Sequence, residues 1–133
     1  MDISTLEKIV VNALEDIKGH DITVLDTRRL TPHFERVIVA TGESNRQVNS
    51  LARNVQDEVR KAGASVLSSE GEDNGEWVLV DLGEIVVHIM QPAVRSFYNL
   101  EELWGGELPA RLLRAPRART AGNGDSTAAN TGA

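Results

Sequence analysis

The sequence contains no cysteine, so disulfides and any zinc site built on thiolates are excluded and the fold must be held by its core. Aromatic residues make up only 4% of the chain, two Phe, two Trp and one Tyr. Packing therefore rests on aliphatic side chains, and some of these few aromatics must fill the interior while others remain candidates for a binding surface. No apolar run approaches the roughly 20 residues of a membrane-spanning helix; the longest, such as Ile85-Val86-Val87, are strand-sized. Met1 to Leu14 carries Asp2, Glu7 and Lys8 among its apolar residues, which is not the basic start and continuous apolar stretch of a secretory signal. A cytoplasmic location is the expectation.

What is present suits one globular domain. A chain of 133 residues with 41% hydrophobic content buries roughly 65–70% of the surface its unfolded form would expose. Charge is shared unevenly. Residues 1–104 hold 10 basic and 18 acidic side chains, net −8, whereas residues 105–133 hold four Arg against one Glu and one Asp, net +2. An acidic body argues against a broad nucleic-acid-binding surface and favours a basic protein partner. After Leu113 no large apolar side chain remains, so a folded domain is expected over residues 1–108 and a disordered Arg/Ala/Gly/Thr-rich tail over 109–133.

Periodicity supplies the elements. Leu6, Ile9, Val10, Ala13, Leu14 and Ile17 recur at helical intervals before Gly19, and Ser4 with Glu7 has capping-box spacing. Ile22–Leu25 and Phe34–Thr41 read as strands. Ser44 and Gln47 repeat the capping spacing ahead of a helix marked by Val48, Leu51, Ala52, Val55, Val59 and Ala62 and stopped at Gly63. Ser65–Ser68 reads as a short edge strand, and Trp77–Leu82 with Ile85–Met90 as a hairpin about Gly83-Glu84. A last helix runs from Pro92 toward Gly105-Gly106. This order, αββα(β)ββα, predicts an α/β fold, a single-layer mixed β-sheet packed with helices.

Chemistry is sparse by comparison. Thr41-Gly42-Glu43-Ser44-Asn45 links a strand to a helix, but it lacks the repeated glycines of a phosphate cradle and places Glu43 where an anion would be repelled. His20, His33 and His88 have no metal-ligand spacing, and a lone strand histidine such as His88 reads first as a hydrogen-bonded structural group. No Gly-x-Ser-x-Gly elbow or triad spacing is present. Asp26 and Asp81 both end apolar strands; brought together they could hold Mg²⁺ in a small nucleotidyltransferase-like enzyme, whereas turn formation accounts for each separately. Neither a cofactor nor a catalytic residue is assigned.

Two runs carry more information. Trp77-Val78-Leu79-Val80-Asp81-Leu82-Gly83-Glu84-Ile85-Val86-Val87-His88 is followed by Arg95-Ser96-Phe97-Tyr98-Asn99-Leu100-Glu101-Glu102-Leu103-Trp104. In order and spacing they closely resemble the ribosomal silencing factor, or Iojap-like, family. Asp21–Asp26, Ile38–Ser44 and Glu70-Gly71 extend the resemblance over residues 3 to 104. It departs at His33-Phe34-Glu35-Arg36, which is more polar than usual, and at Met90-Gln91, which replaces an aromatic ending.

The resemblance implies a factor that is not an enzyme, with a nucleotidyltransferase-like fold lacking the catalytic carboxylate motif. It implies binding to the large ribosomal subunit through ribosomal protein fourteen, blocking of subunit joining, and homodimer formation. Its signature positions are Trp77, Asp81, His88, Arg95, Tyr98, Leu100, Glu101 and Trp104. Of these, Trp77 and Leu100 are candidates for the core, Asp81 and His88 for hydrogen bonds within the hairpin, and Arg95, Tyr98 and Glu101 for partner contact. No membrane contact and no direct sequence-specific nucleic-acid binding are expected.

Overall fold

The computed structural model describes residues 1–98, with Phe97 and Tyr98 described in their backbone alone. The expected tail, and the last helix beyond Tyr98, lie outside the described residues. Among the described residues three helices, α1 (Ile3–Asp16), α2 (Asn45–Lys61) and α3 (Pro92–Tyr98), accompany five strands, β1 (His20–Asp26), β2 (Arg36–Thr41), β3 (Ser68–Glu70), β4 (Trp77–Asp81) and β5 (Ile85–Met90). The strands form one sheet in the order β1-β2-β5-β4-β3. Only β2 and β5 run parallel; the other neighbours are antiparallel. The α/β fold class read from the sequence is therefore observed.

The alternation of side chains along each strand divides the core in two. On one face Ile38, Ala40, Val78, Val80, Ile85, Val87 and Ile89 pack against Leu6, Val10 and Leu14 of α1 and Val48, Leu51, Val55 and Val59 of α2. On the other, Val37, Val39, Leu79, Val86 and Met90 are buried with Phe34, and Leu25, Trp77 and Val94 of α3 pack around them. β5 is buried at every position, as a central strand must be when both faces are covered. His88 belongs to this second face by parity with Val86 and Met90.

Three local expectations shift. Helix α1 is capped by Asp2 rather than Ser4: its Oδ1 accepts from the Thr5 N–H at 2.8 Å. A carboxylate at a helix N-terminus gains charge complementarity that a hydroxyl lacks, while Glu7 accepts from Arg36 Nε at 3.3 Å instead of closing a box. The edge strand is Ser68–Glu70, not Ser65–Ser68. Val66 packs into the first core cluster, and β4 sets the pairing by bonding Ser68, Ser69 and Glu70 opposite Asp81, Val80 and Leu79. At α2, Ser44 caps as expected by accepting from the Gln47 N–H at 3.1 Å. The reciprocal half of the box is displaced: Gln47 Oε1 accepts from the Glu43 N–H, and its Nε2 donates to the carbonyls of Ile17 and Lys18, tying α2 to the end of α1.

Both long helices end in the same hydrogen-bonded motif with different residues. After α2, Gly63 takes φ +92° while Gly63 N–H and Ala64 N–H return to Arg60 and Val59. After α1 the equivalent left-handed position is Lys18, at φ +63°, with Lys18 and Gly19 N–H returning to Glu15 and Leu14. Gly19 is needed for space, since a Cβ there would lie 2.9 Å from Leu51 Cδ2 and 3.0 Å from the Leu14 carbonyl. A side chain at a left-handed position costs roughly 1–2 kcal/mol, partly offset by the flexibility glycine adds to the unfolded chain. Lys18→Gly is expected to stabilise the fold by about 0.5–1 kcal/mol in urea denaturation.

Candidate functional site

The hairpin β4–β5 is built around Asp81 and Gly83. Gly83 takes φ +93° at the first central position of the two-residue turn, where hairpins use glycine, and Leu82 N–H donates to the Ile85 carbonyl at 2.9 Å. Asp81 is fully buried, and its Oδ1 accepts from the Gly83 N–H at 2.9 Å. A buried carboxylate accepting the Gly83 backbone N–H fixes the turn and with it the register of Trp77 opposite Met90 and Leu79 opposite His88.

That register brings Trp77 and His88 together. Trp77 Nε1–H donates to His88 Nδ1 at 2.9 Å, and the two rings lie 5.7 Å apart between centroids at an angle of 45°. An Nδ1 that accepts leaves the imidazole proton on Nε2. That Nε2 is buried and has no hydrogen-bond partner among the described residues. Burial pushes the His88 pKa down to about 3, so the ring is neutral at physiological pH and keeps its acceptor for Trp77. His88 thus holds a half-buried indole against the rim of the second core face.

At the other end of the sheet, where the parallel strands β2 and β5 finish, Arg95 pins α3. Its guanidinium donates to Thr41 Oγ1 at 2.9 Å, to Thr23 Oγ1 at 3.0 Å and to the Asp21 carbonyl. These acceptors come from β1 and β2, so one side chain fastens the short helix to the sheet edge. Asp21 takes φ +50° within the irregularity between His20 and Thr23, which turns its carbonyl to this role. Gln91 completes the attachment: its N–H donates to the Glu76 carbonyl at 2.9 Å, and its side chain donates to the Gly75 carbonyl at 3.1 Å and to Asn45 Oδ1. The polar residue at the departure Met90-Gln91 is thus a junction between α2, α3 and the 71–75 turn. At the other departure, Phe34 is buried and Arg36 links Glu7 of α1 with Asp26 of β1.

Among the sequence-derived residues, the structure places Trp77, Asp81, His88 and Arg95 on β4, β5 and α3. It joins Trp77 directly to His88, leaves Asp81 at the hairpin turn, and uses Arg95 for attachment within the chain. Tyr98 is placed by its backbone in α3; Leu100, Glu101 and Trp104 lie outside the described residues. No attaching role for Thr23, Thr41 or Gln91 was read from the sequence, because ordinary polar residues in and beside strands give no periodic or motif signal of their distant partners.

The two-carboxylate arrangement is not assembled. Asp26 and Asp81 lie on β1 and β4, separated by β2 and β5, a span of about 14 Å at ordinary strand spacing. One Mg²⁺ cannot be held by both. Asp26 is instead engaged by Arg28, whose hydrogen bonds hold its carboxyl down to about 2. Among the described residues no group of three or more His, Cys, Asp and Glu side chains is arranged to hold a metal ion, and no helix is long and apolar enough to cross a membrane.

Comparison with known proteins is specific. Residues 1–132 match the model of the family described as ribosomal silencing factor during starvation. The ribosomal silencing factor RsfS of Chromobacterium violaceum is 53% identical over 117 residues, covering 88% of this chain and 96% of that protein. RsfS of Bacillus subtilis is 38% identical over 105 residues, 79% of this chain and 89% of that protein. The chloroplastic protein Iojap of Zea mays is 38% identical over 103 residues, which are 77% of this chain and 45% of the plant protein. A crystal structure of a Chromobacterium violaceum protein superposes with a TM-score of 0.78 at 56% identity, covering 82% of this chain and 91% of that one. A Bacillus halodurans structure gives 0.70 at 31% identity, with 76% and 94% covered.

Proposed function

The chain belongs to the ribosomal silencing factor family, and from that premise we propose that it represses translation by binding the large ribosomal subunit through ribosomal protein fourteen and preventing the small subunit from joining. The observation that carries the proposal is the Trp77–His88 pair. A half-buried indole held by a fully buried partner on a rigid hairpin is pre-organised for recognition, so little conformational entropy is lost on docking. Trp77 is the anchor in this reading, with Tyr98, Leu100, Glu101 and Trp104 as further contacts. Asp81, His88 and Arg95 hold the hairpin and α3 in place.

The mechanism needs no turnover. An interface of about 800 Å² per partner keeps a small domain bound, and its bulk excludes the second subunit. The acidic body complements a basic ribosomal protein and speeds encounter. The proposal extends to action in the cytoplasm and to self-association of the free protein. The test is co-sedimentation with separated subunits at near-physiological salt, followed by subunit recombination. Binding to the large subunit with fewer joined ribosomes is expected; binding to neither subunit, or joining unaffected by saturating protein, would refute it.

A further inference from the structure

The outward surface of α2 carries three arginines in register. Arg46, Arg53 and Arg60 follow one another at intervals of seven residues, two helical turns less about 20°, so the three side chains leave one side of the helix about 10 Å apart. All are exposed, on the side opposite the buried Val48, Leu51, Ala52, Val55 and Val59. None makes an ion pair or a side-chain hydrogen bond with any described residue, although 18 carboxylates are spread over residues 1–104. Arg28, Arg36 and Lys61, by contrast, are each ion-paired. Asp57 lies four residues beyond Arg53 and three before Arg60, at spacings that favour pairing, and pairs with neither.

The placement of Arg46 is informative in a second way. It is the second residue of a 17-residue helix whose first turn contains no acidic residue. There a cation opposes the helix macrodipole, which favours negative charge. Arg46 therefore gains nothing from its own helix at this end. Along the whole of α2, four basic side chains face two acidic ones, against a net charge of −8 for residues 1–104.

A straight row of guanidinium groups suits a ligand with anionic groups repeated along a line, and each guanidinium can take a phosphate through two parallel N–H bonds. We propose that this row binds the phosphate backbone of ribosomal RNA without reading its sequence. The inference rests on the ribosomal partner proposed above and adds a second contact to it. Because α2 covers one sheet face while Trp77 and Val94 of α3 lie on the other, protein and RNA contacts fall on opposite sides of the domain. The acidic remainder is repelled by phosphate, which leaves α2 as the side that faces RNA and fixes orientation.

The experiment compares the full chain with the triple variant R46Q/R53Q/R60Q and with the control R29Q, an exposed arginine in the β1–β2 connection. Affinity for isolated large subunits, for a generic double-stranded RNA and for RNA-free ribosomal protein fourteen is measured across a salt series, with circular dichroism as the check on folding. Loss of three phosphate contacts is expected to reduce the slope of log K against log salt by about 2–3 and to weaken binding tenfold or more near physiological salt. The control is expected to behave as wild type. Unchanged affinity and slope in the triple variant would overturn the inference, as would an equal loss on RNA-free ribosomal protein, which would make the occupant a protein carboxylate surface. If the wild-type chain fails to bind large subunits, the silencing proposal falls, and the duplex RNA still decides the role of the arginines.

Discussion

Between pH 7 and pH 4 the wild-type protein is expected to lose about 3 kcal/mol of stability through His88 alone, a loss that His88→Asn removes. Burial penalises the charged form of the imidazole and pushes its pKa from 6.5 in the unfolded chain down to about 3 in the folded one. A depressed folded pKa means that below 6.5 the unfolded state binds a proton the native state refuses. Stability is therefore complete above about pH 6.5 and is lost as pH falls toward 3, at about 1.4 kcal/mol per unit. The second consequence is local. Imidazolium carries hydrogen on both nitrogens, so protonation turns the Nδ1 that accepts from Trp77 into a donor facing a donor.

The measurement is urea denaturation of the wild type and His88→Asn at both pH values. Asparagine keeps an oxygen acceptor near the Nδ1 position but cannot titrate. Its stability at pH 7 is expected to be lower, since it leaves unfilled volume in a close-packed face, but its pH dependence should be the shallower by that 3 kcal/mol. Parallel curves would show that the ring titrates normally and that its burial is not maintained in solution. A nuclear magnetic resonance titration of the wild type supplies an independent check, with no protonation shift of the His88 ring expected between pH 8 and pH 5.

His88 also shows where sequence reading succeeds and where it stops. Its place in an apolar strand, Ile85 to Met90, reads first as a hydrogen-bonded structural group, and the structure shows it buried and bonded to Trp77. The two long helices and the hairpin were legible for the same reason: their apolar residues repeat at 3.6 or 2, and Gly83 marks the turn. Edge strand β3 was expected but placed three residues too early, at Ser65–Ser68, because Ser68-Ser69-Glu70 has no strand preference and is set as a strand only through its bonds to β4. Arg95 had the opposite fate. A helix residue in an aromatic run reads as an exposed contact, but the acceptors it finds are 54 residues away at Thr41 and 72 away at Thr23, and no local pattern encodes a meeting at that distance. Asp26 and Asp81 were similar strand-end carboxylates in sequence; only the strand order separates them.

Gly71→Ala is expected to destabilise the fold by about 3 kcal/mol or more, the largest loss from the smallest change. A Cβ at position 71 would lie 2.2 Å from the Trp77 carbonyl oxygen and 3.2 Å from Val78 Cα, both backbone atoms, on a residue at φ +103°. Backbone cannot yield as a flexible side chain does, so overpacking of about 1–3 kcal/mol adds to a left-handed penalty of about 1–2 kcal/mol. Gly63→Ala separates the two contributions. It has φ +92° but nothing within 4 Å of the added methyl, and should cost about 1 kcal/mol in the same urea titration. Equal losses at the two sites would mean that strain alone matters and that the loop stands clear of β4. A much larger loss at Gly71 would establish the close approach, and with it a reason for glycine in the Glu70-Gly71 pair. The residue it must clear is Trp77, so the same methyl that strains the loop displaces the strand presenting the indole. On the proposed mechanism, a variant folded in stabilising buffer should bind large subunits more weakly than Gly63→Ala under the same conditions, although residue 71 has no side chain with which to touch a partner.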